Sequence, residues 1–320
     1  MNPTTSPHSS ATGAPPTDVV LRPLRPEDLP AVVALDRLSS GKPRLPYFEK
    51  RLEAALRTPK RHYQFALTSG KGLVGFLVAR VAGGEYGRPE EVVVLEALGV
   101  DPQVRRGGLA RRMLGGLEEL MRAHGIRSLV TQVDWRNHQM MQFIDGAGFS
   151  LAPRLILERE VDRIPLPSAD EDIEKWPPVV RQLKAADFDA VCRIDKKLIG
   201  VERPEYFKRK FDEVLKQSAI EVSLVVEDKG LVAGFAMARV DFGDFGRVEA
   251  AASLDTIGVD PGLARNGFGR AVLSQMIENL AALMVERLET EVDREAYELQ
   301  KFLTAEGFKT SQRLCFTKKI

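Results

Sequence analysis

The chain has 320 residues, with 46 Lys and Arg against 45 Asp and Glu, so its formal net charge is +1. Apolar residues make up 44% and charged residues 28%, a balance that is typical of a folded globular protein and excludes wholesale disorder. The even charge argues against nucleic-acid binding through a broadly basic surface. No run of about 18 apolar residues occurs, which argues against a transmembrane helix.

Cysteine is scarce, with only Cys192 and Cys315 and no Cys-x-x-Cys pair. This usage argues against a disulfide scaffold and a zinc site, so we expect no metal. Residues 1–17 are rich in Pro, Ser, Thr and Ala and lack the basic start and apolar core of a secretory signal. We therefore expect a disordered tail and a cytoplasmic protein.

The sequence repeats itself with a shift of 159 residues. LGVDP at residues 98–102 returns as IGVDP at 257–261. A period this long indicates a duplicated domain. We expect one domain at 18–160, a linker at 161–177 and a second domain at 178–320. The same shift aligns Asp36 with Asp195, Arg44 with Arg203, Tyr47-Phe48 with Tyr206-Phe207, Arg80 with Arg239, and Gly148-Phe149 with Gly307-Phe308.

Both copies show the same order of predicted elements. In the first copy, apolar spacing after Asp28 predicts a helix, and a second helix is predicted at 47–56. This order predicts the α/β (α+β) class, with two tandem domains that each have a central mixed sheet flanked by helices. The remaining predicted elements are strands at 63–68, 72–81 and 91–100, a helix at 108–124, a strand at 128–134, a helix at 139–147 and a strand at 151–160.

The strongest chemical signal lies between the long strand and the next helix. It reads VDPQVRRGGLA at 100–110 and VDPGLARNGFG at 259–269. Small residues let backbone N–H groups approach a ligand, and free N–H groups at a helix start favour an anion such as a pyrophosphate. A strand-to-helix turn that binds nothing remains an alternative. In the first copy, positive charge is added by Arg105, Arg106, Arg111 and Arg112.

This segment, followed by Asn137 and by Gly148-Phe149, resembles the GCN5-related N-acetyltransferases, the GNAT superfamily. The resemblance covers both copies and implies an N-acyltransferase that moves an acetyl group from acetyl-CoA directly to an amine. It implies that the co-substrate is bound in the first copy by Leu98, Val100, Arg105, Arg106, Gly107, Gly108, Leu109, Ala110 and Asn137, and in the second by Ile257, Val259, Arg265, Asn266, Gly267, Phe268 and Gly269.

The first copy fits the family pattern better, so we expect it to be the likelier cofactor site and the second copy to be a second site or a scaffold. The family tyrosine that often protonates the leaving thiolate is missing from both copies, which puts the general acid in doubt. The departures are Ala264 in place of Arg105, Ala296 in place of Asn137, and Ile144 and Leu303 at the tyrosine position.

Glu96 and its partner Asp255 are the candidate bases, because each lies on a long strand four residues before its Val-Asp-Pro motif. A carboxylate near the thioester can take the proton of the amine, and partial burial suits it to that work. A structural carboxylate paired with an arginine is the alternative for both. His138 and Tyr297 are weaker candidates for the acid.

The expected partners are an acyl-CoA and an amine acceptor, either a small molecule or a protein, with no nucleic acid and no membrane. The chain is expected to be a monomer with an intramolecular pseudo-dimer, or a dimer. The rival hypothesis is a non-catalytic acyl-CoA-binding or protein-interaction module whose catalytic residues have drifted.

Overall fold

The computed structural model describes residues 18–70, 72–105, 107–161, 178–217, 222–246 and 250–320. The tail expected at 1–17 lies outside these residues, and so does the expected linker apart from Val161. Arg106 of the first glycine-containing loop lies outside them as well.

The first repeat contains the predicted helices and strands in the predicted order. It also has a short first strand that we did not predict, and the strand predicted at 151–160 is two strands. Its elements are β1 (Val20–Pro23), α1 (Leu29–Ser40), α2 (Leu45–Arg57), β2 (His62–Ser69), β3 (Gly72–Gly83), β4 (Glu91–Val100), α3 (Leu109–Ala123), β5 (Ser128–Asp134), α4 (His138–Gly146), β6 (Ser150–Leu151) and β7 (Arg154–Glu160).

The second repeat follows the same order. Its elements are β8 (Val179–Gln182), α5 (Phe188–Ile199), α6 (Pro204–Asp212), β9 (Leu224–Asp228), β10 (Leu231–Phe242), β11 (Ala250–Val259), α7 (Phe268–Ala282), β12 (Arg287–Asp293), α8 (Tyr297–Ala305), β13 (Lys309–Thr310) and β14 (Arg313–Lys319).

Helix ends follow the local chemistry of the sequence. Helix α1 begins after Asp28, as predicted, and ends at Gly41, whose φ of 77° lies in the left-handed region. Its counterpart α5 ends in the same way at Gly200, with φ 82°. Glycine adopts this conformation without a Cβ penalty and so stops each helix at a fixed point.

The strands form two seven-stranded sheets, in the orders β1-β2-β3-β4-β5-β14-β6 and β13-β7-β12-β11-β10-β9-β8. The last long strands of the two repeats are exchanged. Strand β14 of the second repeat pairs antiparallel with β5, with Thr317 opposite Val130. Strand β7 of the first repeat pairs antiparallel with β12, with Leu157 opposite Thr290.

The described chain divides into two compact units. The first contains residues up to Val81, residues 93–127 and Ile320. Its core includes Val32, Phe48 and Phe76. The second unit contains residues 82–92 and 128–319, so the segment that follows β3 belongs to the unit of the second repeat.

The core of the second unit includes three clusters of buried residues. One cluster includes residues of β10, β11, α7 and β12, and another includes residues of α5, α6, β9 and β10. A small third cluster consists of Ala152, Ile156 and Cys315. Among the described residues, no helix is both long and apolar enough to cross a bilayer.

Candidate functional site

In the second repeat, strands β11 and β12 pair in parallel over a short distance only. Their register runs from Ala251 opposite Arg287 to Ser253 opposite Glu289. The ladder between β10 and β11 continues to Val259, with one register shift that leaves Asp255 as the extra residue. Such a bulge redirects a side chain, so Asp255 lies at an irregular point of the strand close to where β11 and β12 stop pairing.

Each long strand ends in an aspartate that caps a short turn. Oδ1 of Asp101 accepts a hydrogen bond from the Gln103 N–H at 2.9 Å, and Oδ1 of Asp260 accepts one from the Gly262 N–H at 3.1 Å. The Val-Asp-Pro motif is therefore a structural stop for the strand, since proline at the next position favours the turn.

Glycine then begins both following helices. Gly108 caps α3 with φ 73°, and Gly267 caps α7 with φ 78°. Among the described residues, apart from the chain neighbours, a Cβ on either glycine would meet no atom within 4 Å, so the space beside each of these glycines is open. The first N–H groups of a helix lack intrahelical acceptors, which makes both helix starts suitable for an anion.

The second loop has a further feature of an anion site. Arg265 has φ 65°, so the left-handed conformation occurs at Arg265 and again at Gly267. Left-handed residues in such a loop can turn successive backbone N–H groups toward one concave surface. Nδ2 of Asn266 donates to the Leu263 carbonyl at 3.3 Å and supports the loop from within.

A cationic side chain braces each loop, although by different means. In the first repeat, Arg105 Nε donates to the Val100 carbonyl and Nη2 donates to Ser39 Oγ, both at 3.2 Å. Ala264 cannot do this in the second repeat. There Lys197 Nζ lies 2.7 Å from Asp260 Oδ2, and this hydrogen bond lowers the pKa of Asp260.

Asn137 caps α4, where its Oδ1 accepts a hydrogen bond from the Met140 N–H at 3.1 Å. Ala296, its counterpart at the start of α8, provides no side-chain cap. The difference between the repeats at this position thus affects a helix start. The ligand role implied for Asn137 stays a proposal.

Glu96 is buried, and its two carboxylate oxygens lie against basic groups. Oε1 lies 2.8 Å from Arg80 Nε, and Oε2 lies 2.9 Å from Arg51 Nε. The hydroxyl of Tyr47 lies 3.5 Å from Oε2. Glu96 is thus the centre of a buried cluster in the first unit.

Asp255 is the centre of the corresponding cluster in the second unit. Its Oδ2 accepts from Lys210 Nζ at 2.6 Å, and its Oδ1 accepts from Arg239 Nη1 at 2.9 Å. Burial opposes the charge of Lys210, but the attraction of Asp255 and then Glu213 leaves the pKa of Lys210 above its ordinary value.

Our sequence reasoning missed the partners of both carboxylates. Arg80 and Arg239 were aligned by the 159-residue shift but given no role. The same shift relates Arg51 to Lys210, so a basic residue occupies this position in both repeats. A search for repeated basic residues beside the repeated carboxylates would have found all four.

The repeated Arg-x-x-Tyr-Phe motif is a packing element. Arg44 forms a buried ion pair with Asp36, with Nε 2.8 Å from Oδ2, and its guanidinium lies 4.9 Å from the centre of the Tyr47 ring. Arg203 does the same with Asp195 and lies 4.9 Å from the centre of the Tyr206 ring. In each repeat the buried arginine is neutralised by the buried aspartate, and this ion pair holds the start of the second helix against the first.

The weaker acid candidates lie at the surface. His138 is exposed, and Tyr297 is 72% exposed at the start of α8. Ile144 and Leu303, which occupy the tyrosine position of the resemblance, are buried apolar residues. Cys315 is buried, and burial raises the pKa of its thiol well above the ordinary value, which disfavours the nucleophilic thiolate.

The model of the acetyltransferase (GNAT) family matches residues 29–149 and again residues 188–308. The chain belongs to the GNAT acetyltransferase family. The two matches cover both repeats, so the chain is a tandem member with two α/β domains. Comparison with curated protein sequences finds no significant match.

Solved structures support the tandem GNAT fold. A GCN5-related N-acetyltransferase from Sphaerobacter thermophilus is similar over 95% of this chain and 96% of its own, with 16% identity and a TM-score of 0.65. A tandem GNAT protein from the clavulanic acid biosynthesis pathway is similar over 94% and 98%, with 16% identity and a TM-score of 0.67. At this identity the likeness shows the fold alone.

A third similar structure is a GCN5-related glucosamine N-acetyltransferase region of a fungal multi-domain β-N-acetylglucosaminidase. It is similar over 94% of this chain and 38% of its own, with 14% identity and a TM-score of 0.69.

Proposed function

We propose that the protein is an N-acetyltransferase that moves the acetyl group of acetyl-CoA directly to an amine, with the first repeat as the likelier site of acetyl-CoA. Membership of the GNAT family supports acyl transfer in general. The observation that carries the proposal is the helix start at Gly108, where a Cβ would meet no atom of the described residues within 4 Å apart from the chain neighbours.

The residues around Gly108 fit the pyrophosphate of acetyl-CoA. The loop offers backbone N–H groups of Gly107, Leu109 and Ala110 at the positive end of α3. Arg105 is fixed beside it by Val100 and Ser39. Leu98 and Val100 would then provide backbone groups for the pantetheine arm, as Ile257 and Val259 would in the second repeat.

Acyl transfer to an amine forms a C–N bond and breaks the C–S bond, so a base must take a proton from the amine and the thiolate must gain one. We propose Glu96 as the base of the first repeat and Asp255 as the base of the second. The ion pairs of Glu96 with Arg51 and Arg80 set a condition on this role. The proton of the amine then reaches Glu96 either when one of these contacts opens or through a lone pair that the two cations leave free, directly or by way of a water molecule.

The same ion pairs favour the second candidate function, a module that binds acyl-CoA or a protein without catalysis. In that case both carboxylates are structural counter-ions, and the buried Ile144 and Leu303 mark the loss of the acid. The acceptor is proposed only as an amine on a small molecule or a protein. The two free thiols, Cys192 and Cys315, support a cytoplasmic location.

The deciding experiment measures release of free CoA from acetyl-CoA in the presence and absence of a panel of amines. It is combined with calorimetric titration of acetyl-CoA, read for stoichiometry. Amine-dependent release supports the transferase. Tight binding without release across the panel supports a module that binds acyl-CoA. Absence of binding contradicts the transferase and favours a module that binds a protein.

A further inference from the structure

The segment between β3 and β4 holds a strained residue in each repeat. Tyr86 has φ 55° and ψ 32°, and Phe245, 159 residues later, has φ 53° and ψ 33°. A left-handed conformation is unfavourable for aromatic residues and persists only where the surroundings impose it. The two positions differ in a single hydroxyl group, which only Tyr86 has.

Arginine side chains fix the Tyr86 segment to the rest of the second unit. Arg154 Nη2 donates to the Tyr86 carbonyl at 2.8 Å, and Arg209 Nη2 donates to the Gly83 carbonyl at 2.8 Å. Arg203 donates to the Gly84 carbonyl, and Arg88 forms an ion pair with Glu291 of β12. A residue carried by the first repeat is therefore held within the unit that contains Asp255.

The Tyr86 side chain lies among the charges of the second repeat. Burial raises the pKa of Tyr86 above its ordinary value, and the charged groups that act on its hydroxyl are Arg239, Asp255, Glu291 and Glu289. The phenol therefore stays neutral and keeps its proton.

A buried hydroxyl without a partner lies on the residue that packs against this segment. Tyr206 is 4% exposed, and its hydroxyl has no hydrogen-bond partner among the described residues. Gly84 lies against the Tyr206 ring, since a Cβ there would overlap it. Besides burial, the negative charge of Asp255 contributes to the raised pKa of both tyrosines. A buried hydroxyl group without a partner costs free energy and points to a ligand that would satisfy it.

We propose that Tyr86 and Tyr206 are hydrogen-bond donors to the acyl oxygen of a CoA thioester bound in the second repeat. This inference rests on the proposed function, in which Ile257, two residues after Asp255, provides a backbone group for the pantetheine arm that carries the thioester. A carbonyl oxygen has two lone pairs and no charge, so it accepts both hydroxyls beside Asp255.

The test is calorimetric titration of the full chain with acetyl-CoA and, separately, with CoA, which lacks the acyl oxygen. The site of the second repeat is identified as the one lost in Gly267→Asp. At that site Tyr86→Phe and Tyr206→Phe each lower the affinity for acetyl-CoA about 3–10-fold, the effect of one hydrogen bond. The affinity for CoA is unchanged in both variants.

Phe245→Tyr is the matched control, since it adds a hydroxyl at the equivalent position, and it leaves that site unchanged. Three results overturn the inference. The first is an equal loss of affinity for acetyl-CoA and for CoA in the tyrosine variants. The second is an unchanged acetyl-CoA affinity in folded Tyr86→Phe, and the third is a wild-type protein in which Gly267→Asp removes no binding site. If the site binds acetyl-CoA as described but no amine releases CoA, the proposed function fails and this inference stands.

Discussion

The hydroxyl of Tyr47 lies 3.5 Å from Oε2 of Glu96. In the second repeat the equivalent hydroxyl, that of Tyr206, has no partner among the described residues. Glutamate is one methylene longer than aspartate, so its carboxylate reaches farther toward the tyrosine than that of Asp255. This single replacement makes the two clusters chemically different, although the basic partners are similar in charge.

The length of the carboxylate can be tested directly. Asp255→Glu should bring a carboxylate to Tyr206 and take its hydroxyl away from a ligand, so acetyl-CoA affinity at the second site should fall at least about tenfold. Calorimetry measures this effect, and thermal unfolding checks that the variant is folded. Glu96→Asp is the reciprocal control, which leaves Tyr47 without its carboxylate partner. Wild-type affinity in folded Asp255→Glu would contradict the assignment of Tyr206.

Glu96→Gln separates a base from a structural counter-ion. Because Arg51 and Arg80 would lose a buried negative charge, the variant should lose about 3–5 kcal/mol of stability, measured by denaturant unfolding. If Glu96 is also the base, the rate at neutral pH falls by about 10²–10⁴-fold, and the loss of activity on acidification then reflects only protonation of the acceptor amine.

Arg51→Met is the control for Glu96→Gln, because it breaks the same ion pair while keeping the carboxylate. A rate loss of equal size in both variants, with the pH–rate profile unchanged, would remove Glu96 as the base.

Local chemistry made much of this fold predictable. The long strand was predicted at 91–100 and is β4, and the glycine-containing loops cap α3 and α7 because glycine alone adopts their backbone conformation without strain. The exchange of β7 and β14 could not be predicted. Both repeats end in similar strands, RLILERE and RLCFTKK, and alternation fixes which face is buried but not which neighbour pairs.

The site was predictable only in part for the same reason. The shift of 159 residues identified Glu96 and Asp255 as equivalent, but their partners come from α2, β3, α6 and β10, which are distant in sequence. Nothing in the sequence indicated the position of Tyr86. That position depends on the hydrogen bond from Arg154 to the Tyr86 carbonyl, and on residues 82–92 belonging to the second unit.

Gly108→Asp should abolish acetyl-CoA binding at the first loop. The change adds a carboxylate where the pyrophosphate is proposed to lie, at a position whose φ of 73° already disfavours a side chain. Gly267→Asp is the matched change in the second loop, and calorimetric stoichiometry counts the sites that remain. Gly115→Asp is the control, since it adds the same charge to α3 where a Cβ also meets nothing within 4 Å. Unchanged binding in folded Gly108→Asp would refute the first cofactor site.

Acid stability should depend on a repeated ion pair. The Arg22 hydrogen bond lowers the pKa of Asp28. In the second repeat burial acts to raise the pKa of Asp187, but the hydrogen bonds from Arg181 and from the Lys184 N–H, together with the charges of these residues, leave that pKa lowered. A carboxyl whose folded pKa is depressed stabilises the fold above its unfolded pKa of about 3.9 and loses that effect as the pH falls through the folded pKa.

Asp28→Asn and Asp187→Asn should therefore each cost about 0.2–1 kcal/mol at pH 7, since both pairs are partly exposed, and less as the pH falls below about 4. Denaturant unfolding between pH 7 and pH 2 measures the difference. A cost that grows on acidification would contradict the sign of the effect.

The exchange of strands can be tested with one new cysteine. Cys315 of β14 lies opposite Gln132 of β5, and residues directly opposite in an antiparallel pair are close enough for a disulfide. In a Cys192→Ser background, Gln132→Cys should form a disulfide with Cys315 on mild oxidation, seen by mass spectrometry of the linked peptides. Val133→Cys is the control, because its side chain points to the opposite face and should not link. If Gln132→Cys stays reduced while Cys315 remains reactive in the unfolded chain, β14 does not pair with β5 in this register.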